Sequence, residues 1–369
     1  MSDSLIFTGD YAPIDDSISI SEEVESLFLD SLLCVNLEGC ITSNLPRKDK
    51  KGAILRLDSK RILDDFKKQN VLFNLGNNHI YDFGSNGIVD TKSFLDDNDF
   101  KNFGAKTHNG TFGDFITIEN IAGRRIAIVS VTIPERGGTC DSVKEKFGTL
   151  YPKYIDKILR DLDVDFKFLC IHGGCEFITL PSPGIRKLYR NFIIKGFDVV
   201  IGNHPHVPQP YESYGTGLIF YSLGNFVFNL KYHEKYEKTD SGYFVKFTFK
   251  KKLSFELIFI QKIDNIVRKI NLPDERYLMD EDRYNKLWRF YSYKRIFPNL
   301  NSCTAKKNNN TQSNTYANSK AVSLIRRVLG KLKFIGSFLF NGYQKDIVVG
   351  ALKYLFAKGW KSDKVKYQR

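Results

Sequence analysis

Short, mostly apolar runs recur along the first two-thirds of the chain, separated by segments of helical period. Leu5–Thr8, Leu32–Val35, Val71–Leu75, Ile126–Val131, Phe166–Ile171, Val199–Ile201 and Leu218–Tyr221 are too short for helices and read as buried strands. Between them, Ser21–Leu29, Asp58–Lys68, Ser85–Leu95, Lys153–Leu162 and Gly184–Lys195 carry their apolar residues on one helical stripe. Asp58 follows the apolar Leu57 and is placed to cap its helix. Alternating strands and helices predict an α/β fold. Farther on, Gly242–Lys250 and Leu253–Ile263 alternate with a period of two around Lys250-Lys251-Lys252, which predicts an antiparallel hairpin.

The pattern changes near Asn271. Asp274–Arg295 reads as a polar helix with Trp288, Phe290 and Tyr291 available to pack back on the body. Asn301–Asn318 is rich in Asn, Ser, Thr and Lys, buries too little to order itself, and reads as a linker. Beyond it, Val322–Leu339 sets Ile325, Val328, Leu329, Leu332, Ile335 and Leu339 at helical spacing, with Arg326, Arg327, Lys331 and Lys333 largely on other faces. The expected organisation is an α/β domain over 1–270, a helical segment over 271–300, a polar linker over 301–318 and a basic helical tail over 319–369. No internal repeat is visible.

With 42% apolar and 26% charged residues, the composition is that of a globular protein, which excludes wholesale disorder. Charge adds a second division. From Lys320 onward twelve Lys and Arg face only Asp346 and Asp363, so this segment holds +10 of the net +13. The body is close to neutral, and an anionic partner is to be sought at the tail. A basic amphipathic helix there suits a reversible contact with an anionic membrane surface, or docking in a biosynthetic complex. Packing of that helix on the body is an equally open reading. No nucleic-acid motif accompanies the charge, so no specific nucleic acid is expected as a partner. The six cysteines (Cys34, Cys40, Cys140, Cys170, Cys175, Cys303) show neither metal-site spacing nor disulfide density. The chain enters its first apolar run at Leu5 without a leader, and charges interrupt every apolar stretch of the tail. The expectation is a cytoplasmic protein, with a peripheral place at the inner face of the membrane open to it.

Candidate chemistry lies just past the strands. The first run leads to Gly9-Asp10, the second to Asn36-Leu37-Glu38-Gly39, and the third to Gly76-Asn77-Asn78-His79. Phe166–Ile171 leads to His172-Gly173-Gly174, and Val199–Ile201 to Gly202-Asn203-His204-Pro205-His206. Open α/β sheets build their sites at such strand ends. Carboxylate, amide oxygen and imidazole together suit Zn, Mn or Fe rather than an all-oxygen calcium cage. Two ions sharing one carboxylate can clamp both oxygens of a phosphoryl displacement, and a histidine beside them can protonate the leaving oxygen. Singly, each piece has a plainer reading: Gly9-Asp10 as a turn, Glu38 as a surface carboxylate, His79 as a bonded core imidazole. Jointly the argument is stronger, because four of the six histidines stand at strand ends; His108 and His233 lie in polar segments and carry no assigned role.

These residues fall in blocks. Gly9-Asp10, NLEG-x-IT (Asn36 to Thr42), NNH-x-x-D-x-G (Asn77 to Gly84), HGG-x-E (His172 to Glu176), G-x-HPHV-x-Q (Gly202 to Gln209) and YSLGNFVF (Tyr221 to Phe228) resemble, in order, the signature blocks of the bacterial capsule-synthesis CapA family. The resemblance spans roughly residues 4–265 and leaves out the linker and tail. That family is associated with poly-γ-glutamate capsule synthesis and is similar to calcineurin-like metallophosphoesterases. It implies a four-layer α/β/β/α sandwich and two divalent ions, Mn, Fe or Zn. By resemblance, Asp10 and His206 would hold one ion, Asn78, His172 and His204 the other, and Glu38 would bridge them. His79 would act as acid or charge stabiliser. Asn36, Asn77, Asp82, Glu176, Tyr221, Ser222 and Asn225 would line or brace the site. Typical metallophosphoesterases have a histidine two residues past the first aspartate, where this chain has Ala12, and an aspartate where it has Glu38. The resemblance thus implies a phosphoesterase-type hydrolase acting on a polymer or phosphoester substrate in surface-polymer biosynthesis. The alternative is a non-catalytic assembly factor on the same fold.

Overall fold

The computed structural model describes residues 2–50, 52–134, 139–159, 162–250 and 252–296, with Asp346, Val349, Gly350 and Lys353. The expected linker and nearly all of the basic tail lie outside the described residues. The chain divides into two compact units, one of Met1–Pro181 and Ile185–Met279, the other of Ser182–Gly184 and Asp280–Arg369.

In chain order, β1 (Ser4–Ala12), β2 (Ser19–Ile20), α1 (Glu22–Ser26), β3 (Ser31–Leu37), α2 (Ser59–Phe66), β4 (Val71–Asn74), α3 (Gly84–Asp97) and β5 (Lys101–Phe103) open the first unit. Next come β6 (Ala105–Lys106), β7 (Ile116–Ile121), β8 (Arg124–Thr132), β9 (Gly148–Thr149), β10 (Phe166–His172), α4 (Pro183–Ile194), β11 (Val199–Asn203), β12 (Tyr211–Tyr214) and β13 (Gly217–Phe220). The chain then returns through β14 (Asn225–Phe228), β15 (Ser241–Phe249), β16 (Leu253–Ile263) and β17 (Ile266–Lys269). One mixed sheet runs β2-β17-β16-β15-β1-β3-β4-β5, with β14 beside β1; a second runs β12-β13-β11-β10-β8-β7, and β6 pairs only with β9. The pairs β1–β3, β3–β4, β8–β10 and β10–β11 are parallel, so their C-terminal ends share an edge within each sheet.

Side-chain alternation shows why these strands are apolar almost throughout. Leu5, Phe7, Leu32, Cys34 and Leu72 of the first sheet meet Ile126, Ile128, Phe168, Cys170 and Val199 of the second in one buried cluster. Their neighbours Ile6, Leu33, Val35 and Phe73 face the other way, onto Val24, Ile62, Phe66, Ile88 and Leu95 of α1, α2 and α3. Val129, Val131, Leu169 and Ile171 likewise face Ile185, Tyr189 and Phe192 of α4. Helices, sheet, sheet and helix therefore form four layers, and both faces of the central strands are dry. Each large side chain fully buried there contributes about 1.5–3 kcal/mol of transfer free energy.

The Asp58 side chain caps α2, accepting from the N–H groups of Lys60 and Arg61. The hairpin of β15 and β16 is antiparallel, as its alternation predicts. Two expectations are corrected. The segment read as a helix over Lys153–Leu162 forms a 3-10 helix over Pro152–Lys157, closed by an i to i+3 bond from Ile158 N–H to the Ile155 carbonyl. The helix expected over Asp274–Arg295 is interrupted: a 3-10 turn covers Asp274–Tyr277, and α5 covers Glu281–Ile296. Between them the backbone is drawn into bridge pairing with Tyr211, whose carbonyl accepts the Met279 N–H at 2.8 Å. Among the described residues, no helix is long and apolar enough to cross a membrane.

Candidate metal centre

Asp10 lies near the end of β1, Glu38 directly follows β3, and Asn78 and His79 stand on the turn after β4. His172 ends β10, while His204 and His206 follow β11. All seven are buried. The first sheet and the second meet at these ends through the segment Tyr221 to Asn225. Asp10 N–H donates to the Gly224 carbonyl at 2.9 Å, and Leu223 N–H donates to the Gly202 carbonyl at 3.1 Å. Two glycines permit that approach. A Cβ on Gly9 would overlap the Gly224 carbonyl, and one on Gly202 would overlap the Tyr221 carbonyl. The YSLGN block is thus a backbone seam between the sheets.

The histidine turn is strained. His204 and His206 both adopt positive φ, 97° and 58°, on either side of Pro205. Asp10 holds this shape, its Oδ2 accepting the His204 N–H at 3.1 Å. The turn sends both imidazoles inward, with ring centroids 5.7 Å apart and the His172 ring 5.0 Å from that of His204.

Glu38 is the focus. Its Oε1 lies 3.6 Å from His172 Nε2 and 3.8 Å from both His206 Nε2 and His79 Nε2. Those separations exceed a hydrogen bond. They match donors around an ion, since two ligands about 2.0–2.2 Å from one cation stand roughly 3–4 Å apart. Donor atoms of Glu38, His204 and His206 lie within 4.8 Å of one another, and so do those of Asp10, Glu38 and His172. Glu38 belongs to both sets, as a bridging ligand would. The sets group His172 with Asp10 and His204 with His206, while Asp10 Oδ2 also lies 3.2 Å from His206 Nδ1, the pairing the resemblance implies. Asn36 explains the first grouping: its amide donates to Asp10 Oδ1 at 2.9 Å and reaches His172 Nδ1 at 3.3 Å. Asn78 Oδ1 is 2.8 Å from His172 Nε2. Burial, reinforced by the neighbouring imidazoles, holds His172 well below its ordinary pKa, so it is neutral and fit to bind a cation. This donor set, buried, mixed in oxygen and nitrogen, and centred on one carboxylate, fits divalent metal.

His79 approaches Glu38 from the turn after β4. Its Nδ1 is 2.7 Å from Asp82 Oδ2, and its backbone N–H donates to Asn77 Oδ1 at 3.0 Å. Burial lowers its pKa, and Asp82 opposes that shift. Asn77 in turn donates to the Leu37 carbonyl at 2.7 Å, tying this turn to the one bearing Glu38. Asn225 Oδ1 meets His206 Nδ1 at 3.1 Å, and the Ser222 hydroxyl donates to the Val207 carbonyl at 2.9 Å, so both brace the histidine turn. Glu176 is half-buried on the loop past His172. Tyr221 stands apart. It belongs to the core between the second sheet and α4, stacks on Tyr189, and gives its hydroxyl to Glu212.

Two residues that sequence reasoning passed over belong here. His233, read as lying in a polar segment, is turned inward by a 3-10 helix over Lys231–Lys235. Its ring is 4.4 Å from that of His206 and stacks on Phe228 at 4.5 Å. It also lines a cavity of about 430 Å³ with Phe228, Leu230, Tyr236, Lys238 and Lys262. Burial and the nearby imidazoles push its pKa down to about 2. Lys50, in the charged run after β3, has a buried side chain paired with Asp82. Neither has a local signal, because both partners are distant in sequence.

Comparison with known proteins places this geometry. Residues 7–230, more than half of the chain, match the family described as bacterial capsule synthesis protein PGA_cap. The chain belongs to that family. It is 33% identical over 169 residues to the capsule biosynthesis protein CapA of Bacillus anthracis, covering 43% of this chain and 40% of that protein. It is 29% identical over 219 residues to the PGA biosynthesis protein CapA of Bacillus subtilis, covering 57% of each. The chain therefore spans about half the length of the curated relatives it matches. Among solved structures, a phosphatase from Mycoplasma pneumoniae aligns with a TM-score of 0.43 at 16% identity, covering 77% of this chain and 100% of that one. The PGA_cap match spans every strand end that carries a candidate ligand, from Asp10 to His206.

Proposed function

We propose that this PGA_cap protein is a metal-dependent hydrolase of the phosphoesterase type, serving the biosynthesis of capsule, poly-γ-glutamate or another surface polymer. One observation carries the reading: a buried carboxylate, Glu38, shared by two donor sets, with an imidazole backed by a carboxylate 3.8 Å from it. Asp10, Glu38, Asn78, His172, His204 and His206 would hold divalent cations, Mn, Fe or Zn. Bound there, the cations would supply electrophilic stabilisation of the charge that develops on a phosphoryl group. The chain's own part is positional. Asp82 keeps a proton on His79 Nδ1, which leaves Nε2 facing Glu38. From there a protonated His79 can deliver its Nε2 proton to the leaving oxygen, or a neutral one can accept a proton from the attacking group.

The test is metal content and turnover together. Purified protein is expected to retain Mn, Fe or Zn in stoichiometric amount and to hydrolyse a generic phosphodiester. His172→Ala is expected to lose metal and turnover, whereas His79→Ala keeps the metal and loses about 10²–10⁴ in rate. Metal-loaded wild type without turnover would remove the hydrolase reading, and equal turnover in wild type and His79→Ala would remove His79 from it. One feature favours a second reading, a non-catalytic assembly factor: Ala12, two residues past Asp10, offers no ligand. Under it His79→Ala would abolish neither polymer production nor partner binding.

A further inference from the structure

The support behind His79 does not end at Asp82. Asp82 is fully buried and divides its carboxylate between two tasks. Oδ2 faces His79 Nδ1 at 2.7 Å and accepts the Leu55 backbone N–H at 2.9 Å. Oδ1 meets the ammonium of Lys50, whose side chain is only 4% exposed. Lys50 reaches this place from the loop between β3 and α2, which wraps the His79 turn. Arg47 N–H donates to the Asp82 carbonyl at 3.0 Å, and Lys50 N–H donates to the Arg47 carbonyl at 3.2 Å. The Arg47 guanidinium lies 4.4 Å from the centre of the Tyr81 ring, closing the same loop over the same turn.

We propose that Lys50 is a positioning residue for His79, acting through Asp82. A buried carboxylate is costly alone and needs a counter-charge or several hydrogen bonds to stay put. Lys50 supplies the counter-charge on one oxygen, which leaves the other aimed at Nδ1. The Nδ1 proton is then held against Asp82, and Nε2 faces Glu38. A carboxylate bonded to the rear nitrogen of an imidazole fixes both tautomer and ring orientation in this way. Remove the ammonium, and Oδ1 lacks its counter-charge, so Asp82 is no longer held in the rotamer that presents Oδ2 to Nδ1, and the Nε2–H form that an unconstrained imidazole favours gains population. A salt bridge that merely closed the loop would leave the tautomer unchanged.

This inference rests on His79 as the proton-transferring group, yet its test needs no turnover. With only six histidines in the chain, selective ¹⁵N-histidine labelling gives a tractable spectrum, and His79→Gln assigns the His79 signals. The metal-free protein at pH 8 is expected to show His79 with Nδ1 in the protonated range and Nε2 in the unprotonated range. Lys50→Met should move Nδ1 toward the unprotonated range, and Lys50→Arg should restore it. Far-UV circular dichroism and the other five histidine signals report whether the fold is intact. Should Lys50→Met not fold, Lys50→Gln, which keeps a donor without the charge, takes its place in the same measurement. An Nδ1–H tautomer unchanged in a folded, uncharged variant would overturn the proposal, as would Nε2–H in the wild type. Loss of hydrolase activity with the expected tautomers would count against the proposed function alone.

Discussion

The first sheet and the second bring different chemistry to one edge. The first contributes oxygen: Asp10, Glu38 and Asn78, with Asn36 behind them. The second contributes nitrogen: His172, His204 and His206. Their supports differ as well. The oxygen side sits on or just past regular strands, and amides tie it together. The nitrogen side needs strained backbone, positive φ at His204 and His206, and leans on the first sheet for it through Asp10. Neither sheet alone assembles a centre. The three imidazoles lack a carboxylate among themselves, and the carboxylates have only His79 near them until the seam at Tyr221–Asn225 closes the gap.

The sharpest way to break this comparison is to remove the one residue common to both donor sets. Glu38→Ala is expected to leave no metal retained after gel filtration, measured by inductively coupled plasma mass spectrometry. Asn36→Ala, which removes only the tie between Asp10 and His172, should weaken binding about 10–100-fold. Equal retention in the two variants would mean that Glu38 is not the shared ligand.

The seam gives a smaller effect, read in stability. Gly202→Ala should cost about 1–3 kcal/mol in urea unfolding, because the new methyl displaces the Tyr221 carbonyl. A variant as stable as wild type would show that the sheets tolerate a wider gap than the backbone contacts suggest.

The buried imidazoles of both sheets should also be the pH-sensitive groups. An imidazole held below its ordinary value of 6.5 stays neutral in the fold while the unfolded chain takes up a proton. Stability present above about pH 6.5 is therefore lost as the pH falls below it. For His233, pushed down to about 2, the loss continues through that whole window. It reaches about 2 kcal/mol at pH 5. His233→Gln should remove that share of the pH dependence when metal-free proteins are unfolded in urea at pH 8 and pH 5. Identical dependence in the variant would sharpen the comparison toward His172 and His79 as the groups that matter.

Much of this was legible in the residues. Apolar runs marked β1, β3, β4, β8, β10 and β11 because strands buried on both faces have no polar side to show. Asp58 announced α2 through its capping geometry, and the strand ends displayed Asp10, Glu38, Asn78, His172, His204 and His206 in order. Other features were hidden. Tyr221 sits in a block with Ser222 and Asn225 yet points to the far side of its sheet, since neighbours along extended chain face opposite ways. Lys50 and His233 looked like members of solvated charged runs.

What the sequence by itself determined is local: which segments are strands and helices, and which ligand-type side chains stand at their ends, because periodicity and capping act over a few residues. Only the tertiary structure decided how those ends meet. The two-sheet seam, the grouping of donors around Glu38, the Lys50–Asp82–His79 relay and the burial of His233 all depend on contacts between residues far apart in the chain. Such contacts form through packing and desolvation, which no local pattern encodes.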